Sequence, residues 1–365
     1  MAGTVHAAGE CSGMSVLDDP KRSRACDPSG LLGVALSLPR QIREGWALGR
    51  SAPLPKLPKA PAHLVVCGMG GSAIGGDLLA GYLAQTCPIP IVVVRGYEVP
   101  GFVGPRSLVI AASYSGTTEE TLAAVAQAQR AGATVFAITS GGQLARAAKD
   151  ACVVVPRGLA PRAALGYLML PALAALERWE LAGASALEVE ESATVLEEIA
   201  AEWGPEVPAM RNPAKQLAER LAGLVPAVYA ASPGLEAAAR RWKCQFNENS
   251  KTLATWNVFP ELNHNETVGW GAPAGLASHF AVVLLLDGTE PPRLARRLRL
   301  TSDLALGPAA GVHEVSARGR GRLARLLSLV LMGDLVSIYL AYLRGVDPMP
   351  IEIIDAIKQG LRETH

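Results

Sequence analysis

Ser113-Tyr114-Ser115-Gly116-Thr117-Thr118-Glu119-Glu120-Thr121 closes the apolar run that begins at Ser107 and opens a helical pattern extending to Ala131. A buried strand that ends in a polar turn and passes directly into a helix is the unit of a parallel sheet, and ligands of such sheets bind at the carboxyl ends of the strands. Five Ser and Thr hydroxyls stand within these nine residues. One helix N-terminus needs one of them, and a capping box of Thr117 or Thr118 with Glu120 or Thr121 would contribute about 1 kcal/mol. Such a cap leaves Ser113 and Ser115 unexplained. A cup of hydroxyls and backbone N–H groups suits a phosphate monoester. With no Lys or Arg in the loop, hydrogen bonds and the helix dipole would hold it. No Walker lysine is present here or in the glycine turn below, which argues against nucleotide hydrolysis.

The same unit recurs on either side. His63 to Cys67, Ile89 to Val94, Thr134 to Thr139 and Ala151 to Val155 read as strands, with a helix expected over Leu78–Ala84. A second half repeats the order: a strand at Ala227 to Ala231, a helix at Leu235 to Asn247, strands at Phe280 to Leu286 and Val312 to Val315, and a long helix at Gly321 to Leu343. This alternation predicts an α/β protein of two doubly wound, flavodoxin-like domains, each a parallel sheet flanked by helices. The expected organisation is a disordered extension over 1–15, an N-terminal helix and proline-rich linker over 16–61, a first domain over 62–160, and connecting helices over 161–211 broken at Gly166, Pro205, Pro208 and Pro213. A second domain then covers 212–345 and a helical tail 346–365.

Length and composition agree. The 365 residues suffice for about two domains, and half are hydrophobic, which excludes a disordered chain. The 34 basic and 33 acidic residues leave a net charge of +1, and aromatics are only 5%. Neither nucleic acid nor an anionic membrane is an expected partner. The most apolar stretch, Leu323 to Leu343, contains Arg325 and Asp334, as in a buried helix rather than a membrane span. The polar N-terminus and the absence of paired cysteine motifs predict a cytoplasmic protein with reduced thiols and no zinc knuckle.

Gly68-Met69-Gly70-Gly71-Ser72-Ala73 fits the dinucleotide fingerprint after a strand. The next strand, however, is followed by Arg95-Gly96 rather than by a ribose-binding acid. Three readings stand on these residues: a dinucleotide turn, a glycine turn that merely packs a helix on the sheet, and an anion site at a helix N-terminus with Ser72 as an added donor.

The Ser113–Thr121 turn resembles the phosphate loop of the SIS (sugar isomerase) domain. Four further segments make the resemblance more specific: Gly68–Asp77; Pro161-Arg162-Ala163-Ala164-Leu165-Gly166-Tyr167; Asn247-Glu248-Asn249-Ser250-Lys251; and Glu261-Leu262-Asn263-His264-Asn265-Glu266. Together they resemble the bifunctional phosphoglucose/phosphomannose isomerase family of archaea and bacteria, from about residue 16 onward. The resemblance implies two SIS domains and a homodimer with sites at domain and subunit boundaries. It also implies reversible conversion of glucose 6-phosphate and fructose 6-phosphate, with mannose 6-phosphate as a further substrate.

Aldose–ketose isomerisation opens a ring, moves a proton between C2 and C1 and stabilises an enediolate. A carboxylate suits the proton shuttle, since one base serves both carbons of a cis-enediol. Glu248 is the candidate, following a helix with apolar Leu235, Ala238, Ala239, Trp242 and Phe246. The resemblance places the family's base there, while the residues alone also allow a solvated acid paired with Lys251. His264, in a polar turn, suits ring opening because its ordinary pKa of about 6.5 lets it exchange protons near neutrality. The family's ring-opening histidine falls here, contributed by the partner subunit. Arg162 offers a fixed positive charge to the enediolate or, alternatively, an interdomain ion pair. Lys358, in Ile354-Asp355-Ala356-Ile357-Lys358, matches the family's terminal lysine at the sugar ring oxygen. The phosphate contacts carried over are Gly71, Ser72, Ser113, Ser115 and Thr118. Proton transfer alone performs this reaction, so no metal or organic cofactor is expected.

One departure concerns the C2 epimer. Where the resemblance implies a threonine, near Asp347-Pro348, this chain has Met349, which donates no hydrogen bond. The competing functions are a non-catalytic sugar-phosphate sensor, a dinucleotide oxidoreductase using the Gly68 turn, and another SIS transformation. The first would ordinarily carry a DNA-reading segment and the amidotransferase form of the last an N-terminal cysteine; neither is found.

Overall fold

The computed structural model describes residues 15–57, 60–271 and 275–363. The expected extension over 1–15 lies outside them apart from Ser15, whose hydroxyl caps a short 3-10 turn at Val16–Asp18. Helices α1 (Pro20–Cys26), α2 (Leu31–Leu36) and α3 (Leu38–Ser51) precede the first sheet. That sheet interleaves β1 (His63–Cys67), α4 (Gly70–Leu83), β2 (Ile91–Val94), β3 (Ser107–Ala112), α5 (Glu119–Arg130), β4 (Thr134–Thr139), α6 (Gly142–Ala148) and β5 (Cys152–Val154). Helices α7 (Leu165–Arg178), α8 (Ala186–Trp203) and α9 (Pro213–Leu221) connect the halves. The second sheet follows: β6 (Val225–Ala230), α10 (Glu236–Glu248), β7 (Thr255–Val258), α11 (Glu266–Gly269), β8 (Phe280–Leu286), α12 (Pro292–Leu304) and β9 (Gly311–Ser316). Two helices complete the chain, α13 (Arg322–Arg344) and α14 (Glu352–Glu363).

Both sheets are wholly parallel, with orders β2-β1-β3-β4-β5 and β7-β6-β8-β9. In each, the first strand lies one in from an edge and the chain winds outward to both sides. In the first sheet the direction reverses between β1 and β3, so the loops after those two strands flank the crevice where ligands bind. Cys67 lies opposite Ala111 in the pairing of β1 with β3, so the Gly68 and Ser113 turns leave the sheet side by side.

One large core fills the space between the inner faces of the two sheets. It unites Val66 and Ile110, Val228 and Val283, and the buried faces of α3, α4, α7, α8, α10 and α13. Smaller clusters cover each outer face, around Val65, Val109 and Ala137 on one sheet and Tyr229, Val282 and Leu284 on the other. Helix α13 is long and apolar enough to cross a membrane, yet 94% of its apolar window is buried inside the protein.

The structure corrects three expectations. The glycine segment Gly68–Asp77 is not a long turn, because α4 begins at Gly70. Intrinsic propensity disfavours a helix with so many glycines by about 1 kcal/mol each, but packing overrides it: a Cβ at Gly76 would lie 2.7 Å from Val66 Cγ1. Gly166 does not break the connecting helices, since it lies inside α7 where α3 crosses at close range, and a Cβ there would sit 2.5 Å from that of Gln41. β7 and α12 also stand apart from the pattern read above. β7 has four residues on a sheet edge, too few for periodicity to declare them.

Candidate active site

The site gathers at the carboxyl end of the first sheet, where α4, the Ser113 turn, the Pro161–Ala163 turn and the end of α10 meet. Met69 is the N-cap of α4 but makes no side-chain capping bond. Gly71 lies against the backbone of the Pro161–Ala163 turn, where a Cβ would stand 2.8 Å from Arg162 Cα, Arg162 N and Pro161 C. The Ser72 hydroxyl accepts a bond from the Tyr114 N–H at 3.2 Å. That contact ties the start of α4 to the second turn.

In that turn the hydroxyls are not spent on capping. Thr118 is the N-cap of α5, yet its side chain makes no capping bond. Its Oγ1 lies 2.9 Å from Ser113 Oγ, which also accepts the Gly116 N–H at 3.2 Å. Ser115 Oγ accepts from the Thr117 N–H and hydroxyl. Thr121 Oγ1 is buried without a hydrogen-bond partner among the described residues. Gly116 has φ +67°, and a Cβ there would lie 1.8 Å from Gly141 O, so only glycine permits the turn after β4 to buttress this loop. Hydroxyls and amides thus converge where the sheet changes direction.

Arg162 is the hub of the adjoining crevice. It is 4% exposed, and burial lowers its pKa while Glu248 acts to raise it. Its Nε donates to Asn249 Oδ1 at 2.8 Å, and one Nη donates to the carbonyls of Pro348 and Met349, both at 2.8 Å. The other Nη faces Glu248 Oε2 at 3.7 Å. Both readings of Arg162 therefore meet in one place. It joins the two halves of the chain, and it leaves one nitrogen directed at a carboxylate.

Glu248 is the last residue of α10 and half-buried. The helix holds it through fully buried Trp242 and Phe246, with the Trp242 indole donating to Leu329 O at 2.8 Å. Lys251 does not pair with the Glu248 carboxylate. Its ammonium donates to backbone carbonyls instead, to Glu248 O at 2.6 Å and to Pro348 O at 3.3 Å. The carboxylate is thus left to Arg162 and to whatever enters the crevice.

The remaining two candidates are not brought to Glu248 within one chain. His264 is exposed in the turn after β7. That turn is built firmly: Asn263 donates to Thr301 Oγ1 at 2.8 Å, and the Glu266 carboxylate takes bonds from Tyr229 and Asn257. Lys358 lies on α14, 59% exposed, with its ammonium 3.6 Å from Asp355. Helix α14 turns Ile353, Ile357 and Leu361 to solvent, 79%, 59% and 58% exposed.

Sequence reasoning passed over Asn249, Arg241 and Asp334 as parts of the site. The signal available was Asp334, a lone carboxylate midway along an apolar helix, since a buried charge requires a partner.

Two sheets with paired switch-point loops, a hydroxyl cup and an Arg–Glu crevice define a tandem SIS-domain enzyme. Comparison with known proteins agrees. Residues 56–170 match the SIS domain and residues 210–361 the bacterial phospho-glucose isomerase C-terminal SIS domain. A bifunctional phosphoglucose/phosphomannose isomerase of Caldicellulosiruptor bescii is 42% identical over 330 residues, 90% of this chain and 97% of that protein. One of Aquifex aeolicus is 36% identical over 82% of this chain and 90% of its own. The solved structure of a glucose-6-phosphate isomerase like protein from Thermus thermophilus has the same fold, with TM-score 0.62 and 24% identity over 93% of this chain and all of that one. The chain belongs to the bifunctional phosphoglucose/phosphomannose isomerase family and is an isomerase.

Proposed function

We propose that the protein interconverts glucose 6-phosphate and fructose 6-phosphate, and mannose 6-phosphate with them, through a cis-enediolate. The observation that carries this reading is the Arg162 guanidinium 3.7 Å from the Glu248 carboxylate, beside two turns suited to a phosphate. Gly71, Ser72, Ser113, Ser115 and Thr118 hold the phosphate through amides and hydroxyls. Glu248 takes the proton from C2 and returns it to C1, while Arg162 stabilises the negative charge that develops on the oxygens. His264 opens the ring and Lys358 assists at the ring oxygen. His264 reaches the site from a second copy, so the working form is a homodimer. The exposed apolar face of α14 supports an assembly that covers it. A sugar-phosphate isomerase of this kind acts in glycolysis and gluconeogenesis in the cytoplasm.

The test follows fructose 6-phosphate, then mannose 6-phosphate, by NMR in deuterated water, for the wild type and Glu248→Gln. Turnover with solvent deuterium incorporated at the transferred position is expected in the wild type. In the variant the rate should fall roughly 10²- to 10⁴-fold. Saturable binding without turnover in the wild type would identify a sensor, and full activity in the variant would remove Glu248 as the base. Met349 stands where a hydroxyl was expected, and its carbonyl already holds Arg162. Met349→Thr should raise the mannose-to-glucose rate ratio, and an unchanged ratio would dissociate this position from epimer handling.

A further inference from the structure

The proposed reaction needs Arg162 at a fixed point, and its side-chain bonds to Asn249 and the tail do not by themselves fix its backbone. We infer that Arg241, clamped by Asp334, is a positioning residue that sets Arg162; this rests on the role given to Arg162 above. Arg241 lies on α10 and is 2% exposed, and Asp334 lies on α13 and is 5% exposed. They pair through both oxygens, Nε to Oδ1 at 3.0 Å and Nη2 to Oδ2 at 2.7 Å. The same Nη2 donates to the backbone carbonyl of Arg162 at 2.8 Å. Gln245 donates to Asp334 Oδ1 at 2.8 Å, completing the carboxylate's partners. Ser337, one turn beyond Asp334 on α13, accepts from Asn249, whose amide oxygen holds the Arg162 side chain.

Both ends of Arg162 are thus held from one place on α13, its carbonyl through Arg241 and its guanidinium through Asn249. Gly71 packs on the preceding peptide, against Pro161 C and Arg162 N. A shift of this turn would move the guanidinium relative to Glu248. The planar fork of arginine is what spans two carboxylate oxygens and a carbonyl at once; a lysine ammonium has one nitrogen on a flexible stem and cannot reproduce that geometry.

The test measures kcat, KM for fructose 6-phosphate, and inhibition by inorganic phosphate and by a phosphorylated sugar acid whose carboxylate mimics the enediolate. In Arg241→Lys and Asp334→Asn, kcat should fall roughly 10- to 100-fold, the loss that follows misplacement of a group near 1 Å. Inhibition by the sugar acid should weaken in parallel, while that by inorganic phosphate changes less, since only the former follows the transition state. Folded variants with wild-type kcat, or with equal losses for both inhibitors, would reduce the pair to a packing role. Should the single variants fail to fold, Arg241→Met with Asp334→Leu removes both charges together and leaves none unpaired. The same kcat loss is expected of it, and wild-type kcat would overturn the proposal. Undiminished turnover in Arg162→Met would instead refute the role of Arg162 and leave the isomerase reading standing.

Discussion

Gly71→Ala adds one carbon at the point where α4 meets the Arg162 turn. The new Cβ would stand 2.8 Å from Arg162 N, Arg162 Cα and Pro161 C. Ordinary van der Waals contact begins at 3.4 Å, so the two segments must separate by about 0.6 Å. All three neighbours are backbone, so no side chain can swing away, and Arg241 holds the turn through the Arg162 carbonyl. Overpacking of this kind costs typically 1–3 kcal/mol, partly offset by up to about 1 kcal/mol of helix propensity gained over glycine. The displacement falls between the proposed phosphate contacts and the proposed enediolate-stabilising Arg162. If 1 Å of misplacement costs about 100-fold, then 0.6 Å costs on the order of tenfold in kcat/KM. Gly75→Ala is the matched control in the same helix, because its Cβ would meet its nearest neighbours at 3.7 Å. It should leave activity unchanged and add up to about 1 kcal/mol of stability. Coupled turnover of fructose 6-phosphate and urea unfolding followed by circular dichroism read both quantities. Wild-type activity and stability in Gly71→Ala, or equal effects in the two variants, would refute the close-approach argument.

Further outcomes follow from buried charges elsewhere. Lys215 is fully buried, with its ammonium 2.9 Å from Asp18 and 2.9 Å from Pro205 O. Asp18→Ala strands that cation and uncaps the Ala209 N–H, so it should lower stability by about 3 kcal/mol in urea unfolding without changing kcat; a loss below 1 kcal/mol would mean that water satisfies the ammonium. Burial, aided by Arg220, holds the His313 imidazole below its ordinary pKa. The unfolded chain therefore binds this proton more readily, and the contribution is complete above the ordinary value of about 6.5 and is lost as pH falls below it through the lowered folded value. His313→Gln should flatten the stability profile below about pH 6.5, and an unchanged slope would place the acid sensitivity elsewhere.

The inner strands of both sheets were legible because each is a short apolar run bounded by turn residues, and burial on both faces demands that pattern. His63–Cys67, Thr134–Thr139 and Phe280–Leu286 begin and end where their residues say. β7 was not, since a four-residue edge strand with one side open to solvent carries too few apolar positions. The start of α4 was misread for the opposite reason. Its glycines speak locally for a turn, and only the neighbours that press on Gly71 and Gly76 explain a helix there.

By itself the sequence determined the class of fold and the tandem organisation and drew attention to the glycine and hydroxyl-rich turns, because strand periodicity, glycine turns and hydroxyl-rich loops are local properties. It singled out Arg162 and Glu248 as types of residue. Only the tertiary structure decided that they face each other across residues 86 apart in the chain, that the Ser113–Thr118 hydroxyls bond one another instead of capping α5, and that a carboxylate at mid-helix in α13 steadies the peptide of Arg162. Those relations arise from the packing of two sheets on one core, and no window of neighbouring residues encodes them.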